Sequence, residues 1–460
     1  MRDTRRMFPV WEWAARTLEG MYVRAVEDTL ETGEDAESPG AAAGRPVPRL
    51  PGFGEQLRAW RALLDRPLTP YYLIVGITTL LLALGLVMVL SSASVIDLSF
   101  GLSPYSDFEK QLVGVCIGLP LMWVAARSSP RLFRAAAYPL LAVAIIGLCL
   151  IMIHGVGVTE NGASRWIALG PLQFQPSELA KLALAVWGAD LLARKEKMSM
   201  LADWRHMLVP LMPGTGLLAL LVMAGDDVGT TFVLLIVFLA LLWFAGAPGR
   251  VFSVLLILMG MVLLLLVVTQ SWRIKRVTGL FDTSNTNPVG SNQQSIQGRV
   301  ALGDGGLFGV GLGGGKIKWG WLPESTSDFI FAVIGEELGL IGTLCVTAMY
   351  GGLAFAGLRV ARRAPDSFSR FCSAAITSWI VIQAVVNIGA VVGVVPITGV
   401  PLPLVSQGLS SVLVTMVALG MLMSFARRSP GASEALAARG PGAASRVLSW
   451  LGRGTRRDSG

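Results

Sequence analysis

The chain has 460 residues, 53% of them hydrophobic and only 15% charged, with a mean hydropathy of +0.61. Apolar runs long enough to cross the roughly 30 Å hydrocarbon core recur along it, which excludes a water-soluble globular protein. The net charge of +8 is spread over short loops and tails, so no basic domain exists to grip nucleic acid.

In chain order, residues 7–30 read as an amphipathic cytoplasmic helix. Glu12 interrupts any signal-peptide core, so no cleavage is expected. Residues 31–52, rich in Glu, Gly, Ala and Pro, cannot bury a core and read as linker. Residues 1–70 are therefore a cytoplasmic tail, 71–428 the membrane domain, and 429–460 a second cytoplasmic tail. The basic stretch at 446–457 either lies on anionic lipid or, the plainer reading, is solvated.

Apolar runs place helices near 72–95, 111–126, 133–154, 176–193, 207–224, 228–246, 251–269, 328–357, 371–395 and 405–426. The expected fold is an all-α polytopic membrane protein of about ten transmembrane helices, with a large extracytoplasmic loop, 270–327, between helices seven and eight. Loop charges orient it. Arg127, Arg131, Arg134, Arg194, Lys195, Lys197, Arg250, Arg359, Arg362, Arg363, Arg370, Arg427 and Arg428 all fall on one side, so both termini read as cytoplasmic.

The exception is the 270–327 loop. It sets Arg273, Lys275, Arg276, Arg299, Lys316 and Lys318 against Asp282, Asp304 and Glu324, and shares the outer side with Arg165. Cations held outside against the usual bias call for an anionic ligand. Gly309, Gly311 and Gly314 match a dinucleotide fingerprint, but no strand precedes them. Glycine density there fits a loop that turns tightly and lets substrate approach its backbone. Four cysteines, read as small packing residues within helices, and two histidines offer neither a disulfide framework nor zinc spacing.

Single polar residues on the outer side carry two readings each. Asp328 fits a capping box with Ser325 at the N-cap, or a carboxylate positioned to take a proton from a hydroxyl nucleophile. Glu178 and Lys181, one turn apart after Pro176, form an intramembrane ion pair that is either structural or functional. Arg165 could clamp phosphate or snorkel beside Trp166. Trp319 and Trp321 either stack on sugars or anchor at the interface. Glu336 and Glu337 pair with neighbouring polar groups and receive no chemistry. Residues 387–411, broken by Pro396, Pro401 and Pro403, should re-enter the membrane around a protected polar space.

The runs NGASRWIALGPLQFQPSELAK, GDGGLFGVGLGGGKIKWGWLPESTSDFIFAVIGEELG and NIGAVVGVVPITGVPLPLVSQGLSS resemble the SEDS family of shape, elongation, division and sporulation proteins, over roughly residues 70–428. The segment LLDRPLTPYYLIVGITTLLLALGLVMVLSSASV looks more like the division branch, FtsW, than the elongation branch, RodA. The resemblance implies a peptidoglycan glycosyltransferase at the plasma membrane, joining lipid II into β-1,4 glycan strands for septal wall synthesis. Carried over by motif, Asp328 is the essential acid and general base, while Glu178, Lys181 and Arg165 match the family's polar elements. Lys316, Lys318 and Trp319 on the cationic loop are candidate substrate contacts. A divalent cation, Mg or Mn, is a possible helper for the leaving pyrophosphate. A class B penicillin-binding protein, FtsI-like, and other divisome proteins are the implied partners, with Gly389, Ala390 and Gly393 a candidate face for the partner's transmembrane helix. Two departures stand out: Asp226-Asp227-Val228-Gly229-Thr230 for P-D-[LF]-G-T, and Ser406-Gln407-Gly408-Leu409-Ser410 for S-Y-G-G-S. The rival readings are a lipid II flippase, which predicts ionisable groups along a path towards the cytoplasm, and a scaffold for a wall synthase.

Overall fold

Describing residues 66–435 apart from 100, 102, 154–156, 161–162, 171, 270–273, 275–292, 320–321 and 433, the computed structural model is built mainly of apolar helices. The chain divides into two compact units at Leu64 and Asp65, and every described residue belongs to the second. The expected N-terminal helix, the linker, the basic stretch at 446–457, and Arg273, Lys275, Arg276 and Trp321 lie outside the described residues.

The helices are α1 Thr69–Ser99, α2 Ser106–Arg127, α3 Pro130–Leu150, α4 Pro176–Lys197, the short α5 Trp204–Leu208, α6 Leu211–Ala224, α7 Val228–Phe244, α8 Gly249–Val268, α9 Gln293–Asp304, α10 Ile330–Arg362, α11 Ser367–Val392 and α12 Leu409–Arg427. Among the described residues seven spans are long and apolar enough to cross a membrane, and Val228–Phe244 and Gly249–Val262 are shorter apolar helices. α4 is not among them, because Glu178, Lys181, Asp190, Arg194, Lys195, Glu196 and Lys197 dilute its hydropathy. Apart from Leu179 it is nonetheless buried from Pro176 to Ala193, small residues letting its neighbours close on it from several sides.

α9 falls within the expected 270–327 loop, and a sheet was not expected either. Residues 157–174 form a three-stranded antiparallel sheet of β1 Gly157–Glu160, β2 Ala163–Leu169 and β3 Leu172–Phe174, in the order β1-β2-β3. Asn161-Gly162, two residues between strands, is a strong hairpin signal in the sequence that helix counting passed over.

Two membrane elements are interrupted. α10 breaks at Gly339, whose φ of 68° and ψ of −166° no helix contains. After α11, Gly393 closes the helix in the left-handed region, and residues 394–408 run as coil before α12 begins at Leu409. This is the expected re-entrant stretch, with helix resuming later than the predicted 405. The coil is buried at Val400 and from Leu402 to Ser406, and side chains satisfy its backbone there: Tyr350 Oη donates to the Pro403 carbonyl at 2.6 Å, and Gln111 Nε2 to the Ser406 carbonyl at 3.3 Å. Irregular backbone at membrane depth survives only with such partners.

Candidate functional site

Asp328 does not start a helix. α10 begins at Ile330 with Phe329 as its uncapped N-cap, and the Ser325 hydroxyl is buried without a hydrogen-bond partner, so the expected capping box is absent. The turn is fixed elsewhere. Glu324 takes a φ of 59° and its carbonyl accepts from the Ser327 and Phe329 amides, while Gln407 N–H donates to the Thr326 carbonyl at 3.0 Å and Ser406 Oγ to the Ser327 carbonyl at 2.6 Å. Asp328 is thus presented, half-buried, by the re-entrant coil rather than by a helix end. It lines a small, half-open cleft of about 10 Å³ with Asn387, Thr398 and Gly399.

Behind the cleft runs a buried polar chain. Lys181 Nζ donates to Glu178 Oε1 at 2.7 Å and to Gln383 Oε1 at 2.9 Å, and Trp379 Nε1 donates to the same Gln383 oxygen at 2.7 Å. The Lys181 ammonium also lies 5.3 Å from the centre of the Trp379 ring. Gln383 Nε2 donates to the Pro401 carbonyl at 2.9 Å, and Asn387 Nδ2 to those of Val400 and Asp328, both at 2.8 Å. The expected Glu178–Lys181 pair is present. Its continuation through Gln383 and Asn387 was missed, although polar side chains four apart inside an apolar helix are themselves a signal.

The glycine-rich loop also has a packing role. It lies along the α10 break: Val310 and Gly311 N–H donate to the Glu336 and Glu337 carbonyls at 2.9 and 3.1 Å, and the Leu340 and Ile341 amides donate to the Gly306 and Leu307 carbonyls at 2.9 and 3.3 Å. Side chains at Gly305, Gly309 or Gly339 would collide with this facing backbone. The acids after Asp328 hold the same loop. Glu336 Oε1 accepts from the Lys316 amide at 2.7 Å, and Glu337 pairs with Lys318 at 2.8 Å and with Ser91 Oγ. Of the loop residues expected to meet substrate, Lys318 is buried in that ion pair, whereas the Lys316 side chain and Trp319 are exposed.

On strand β2, Arg165 donates from Nη2 to the Asp226 carbonyl at 2.6 Å and from Nε to that of Gly225 at 3.4 Å. Asp226 stands at a φ of 61°, which a proline ring forbids, so this departure reshapes the turn. Asp227 is the neighbouring anchor: its carboxylate caps α7 at Thr230 N and accepts from Gln175 Nε2 at 3.1 Å and Ser177 Oγ at 3.3 Å. In the second departure Leu409 enters the first turn of α12 and packs against Gly114 of α2, where a Cβ would collide with it.

Gly389 and Gly393 do not offer an outward face; a Cβ on them would meet Val395 and the Arg299 side chain, and Ala390 is buried. Of the cysteines, Cys372 is buried, but Cys116, Cys149 and Cys345 point out of the bundle rather than packing inside it. Among the described residues no three His, Cys, Asp or Glu side chains gather to hold a metal, so the residues present do not build a cage for Mg or Mn.

Residues 71–430 match the cell cycle protein family model of FtsW, RodA and SpoVE. The chain belongs to this family, the SEDS proteins. It is 40% identical over 425 residues to "Probable peptidoglycan glycosyltransferase FtsW" of Mycobacterium tuberculosis, covering 91% of this chain and 78% of that one. It is 37% identical to Stage V sporulation protein E of Bacillus subtilis, over 78% and 98% of the two chains. The fold resembles the crystal structure of Thermus thermophilus rod shape determining protein RodA, with a TM-score of 0.56 and 28% identity over 77% of this chain and 96% of that one. A chain from a structure described as "Structural coordination of polymerization and crosslinking by a peptidoglycan synthase complex" matches with a TM-score of 0.63 and 27% identity, over 78% and 97%. Family membership and the apolar spans make the chain a multi-pass bacterial membrane protein.

Proposed function

We propose that this protein is a peptidoglycan glycosyltransferase that polymerises lipid II, with Asp328 as its general base. The observation that carries the assignment is a half-buried carboxylate on a tightly pinned turn, opening into a cleft lined by Asn387, Thr398 and Gly399. In the reaction the 4-hydroxyl of the acceptor GlcNAc attacks C1 of the donor MurNAc, and its proton passes to Asp328. The C1–O bond to pyrophosphate breaks with inversion, leaving a β-1,4 linkage and undecaprenyl pyrophosphate. Proton removal by a positioned base contributes about 10²–10⁴-fold, so the remainder must come from orienting two lipid-linked sugars and balancing the leaving charge.

Lys316 and Trp319 support that second task, as an exposed cation and an exposed ring one turn apart on the outer loop. Arg165 keeps further guanidinium donors beside its bonds to the 225–226 turn. Glu178, Lys181 and Lys318 act through the fold, as ion pairs that fix the walls of the site. By family likeness the product strand passes to a class B penicillin-binding protein of the FtsI kind at the division septum, with both termini of this chain in the cytoplasm.

Purified protein given labelled lipid II, without added transglycosylase, should make glycan polymer, and Asp328→Asn should fold normally but make none. Transport of lipid II across vesicles without any polymer would instead establish the flippase reading.

A further inference from the structure

An apolar membrane helix carries polar side chains at a cost, so two amides one turn apart on α11 require an explanation. Gln383 and Asn387 are 1% and 2% exposed and share a helix face. Gln383 joins Lys181 to the carbonyl of Pro401. Asn387 uses its amide nitrogen twice, on the carbonyl of Val400 and on that of Asp328. The residue bearing the reactive carboxylate and the residue forming the cleft wall are therefore tied to a single atom.

Gly399, the neighbour of Val400, adds the second observation. It has a φ of 70°, and a Cβ there would lie 3.5 Å from Asp328 Oδ2, so the carboxylate rests against the same segment that Asn387 holds. One nitrogen sets the separation between base and wall. Only a group with two donors on one atom can bridge two carbonyls in this way; an ionised carboxylate of the same shape would present acceptors to acceptors.

We infer that Asn387 is a positioning residue that holds Asp328 in register with the Gly399–Val400 wall, an inference that rests on the reading of Asp328 as general base. Losing the clamp leaves the carboxylate chemically intact but lets it shift relative to the acceptor hydroxyl, and a displacement of about 1 Å costs about 10²-fold in rate.

The test compares full-length wild type, Asn387→Asp, the smaller Asn387→Ser in case the charge impairs folding, and Asp328→Asn. Backbone hydrogen exchange is read alongside kcat and KM for lipid II. In Asn387→Asp, exchange at residues 326–330 and 399–402 should rise while that in α1 and α2 stays at the wild-type level. The value of kcat should fall about 30–100-fold with KM within about threefold, and in the uncharged Asn387→Ser the acidic limb of the pH–rate profile should not move, because no charge is added beside the base. Asn387→Ser should fall between this variant and wild type. Unchanged exchange at 326–330, or a kcat within twofold of wild type, overturns the positioning role. A wild-type chain that makes no polymer overturns the glycosyltransferase reading, and this role with it, whereas an active wild type with an equally active Asn387→Asp overturns the positioning role alone.

Discussion

The Lys318 ammonium lies 2.8 Å from Glu337 Oε1, both side chains almost fully buried, and Ser91 of α1 bonds to each of them. A charge that the outer loop was expected to offer to substrate is instead used to fasten the loop to α10 and α1. Removing one member of a buried pair strands the other charge, which costs about 3–5 kcal/mol, whereas replacing both with apolar residues is close to neutral. Lys318→Met should therefore lower thermal stability in detergent, and Lys318→Met with Glu337→Met should restore most of it along with polymerase activity. A stable but inactive double variant would return Lys318 to the list of substrate contacts.

The docked loop also predicts which glycines matter. Gly339→Ala places a Cβ against the backbone of Leu307 and Gly309 in a conformation that L residues avoid, and should cost about 3 kcal/mol or more. Gly313 has a φ of 79° but open space around it, so Gly313→Ala should cost only about 1–2 kcal/mol. Chemical denaturation of the two variants side by side checks the difference, and equal losses would mean that close approach is not the constraint.

Asp227 caps α7 and accepts from Gln175 and Ser177 across the rim. Asp227→Ala should lose the cap, worth about 0.5–2 kcal/mol, together with two cross-links, while Asp227→Asn retains one carbonyl oxygen for Thr230 N–H and should lose less. Calorimetric midpoints in the order wild type, Asn, Ala are expected.

Asp97, just beyond the Thr69–Val95 span, is buried, and burial raises its pKa above the ordinary carboxylate value despite the opposing bond from Asp107 N–H. A raised folded-state pKa favours the protonated form, so this contribution is fully present below the unfolded pKa and is lost as pH rises through the folded one. Asp97→Asn, which keeps an acceptor for the Asp107 amide, should be the more stable protein at neutral pH and should flatten the stability profile across that acidic window. Parallel wild-type and variant profiles would exclude Asp97 as the titrating group.

Much of the architecture was legible because the bilayer imposes simple local rules. Apolar run length placed the long helices to within about five residues but not α9, which lies in the expected 270–327 loop, nor the short α5; proline and glycine marked the coil at 394–408, and i,i+3 spacing joined Glu178 to Lys181. The motif around Asp328 was legible as a resemblance. The apparent capping box at Ser325 misled, because a four-residue pattern carries no information about the re-entrant coil that captures Thr326 and Ser327 instead.

What only the tertiary structure decided are relationships between distant segments. Sequence displayed the cations of the outer loop but not that Lys318 would find Glu337 while Lys316 stayed exposed, since burial depends on which surfaces meet. It displayed the glycines of 303–315 but not the broken helix at Gly339 whose backbone they accommodate. It displayed Asn387 as one amide in an apolar helix; only the fold brought residues 328 and 400 to the same nitrogen. Local pattern fixes where a chain crosses a membrane, because each span must satisfy its own backbone. The geometry of a site assembled from three elements depends on long-range contacts that no local pattern encodes.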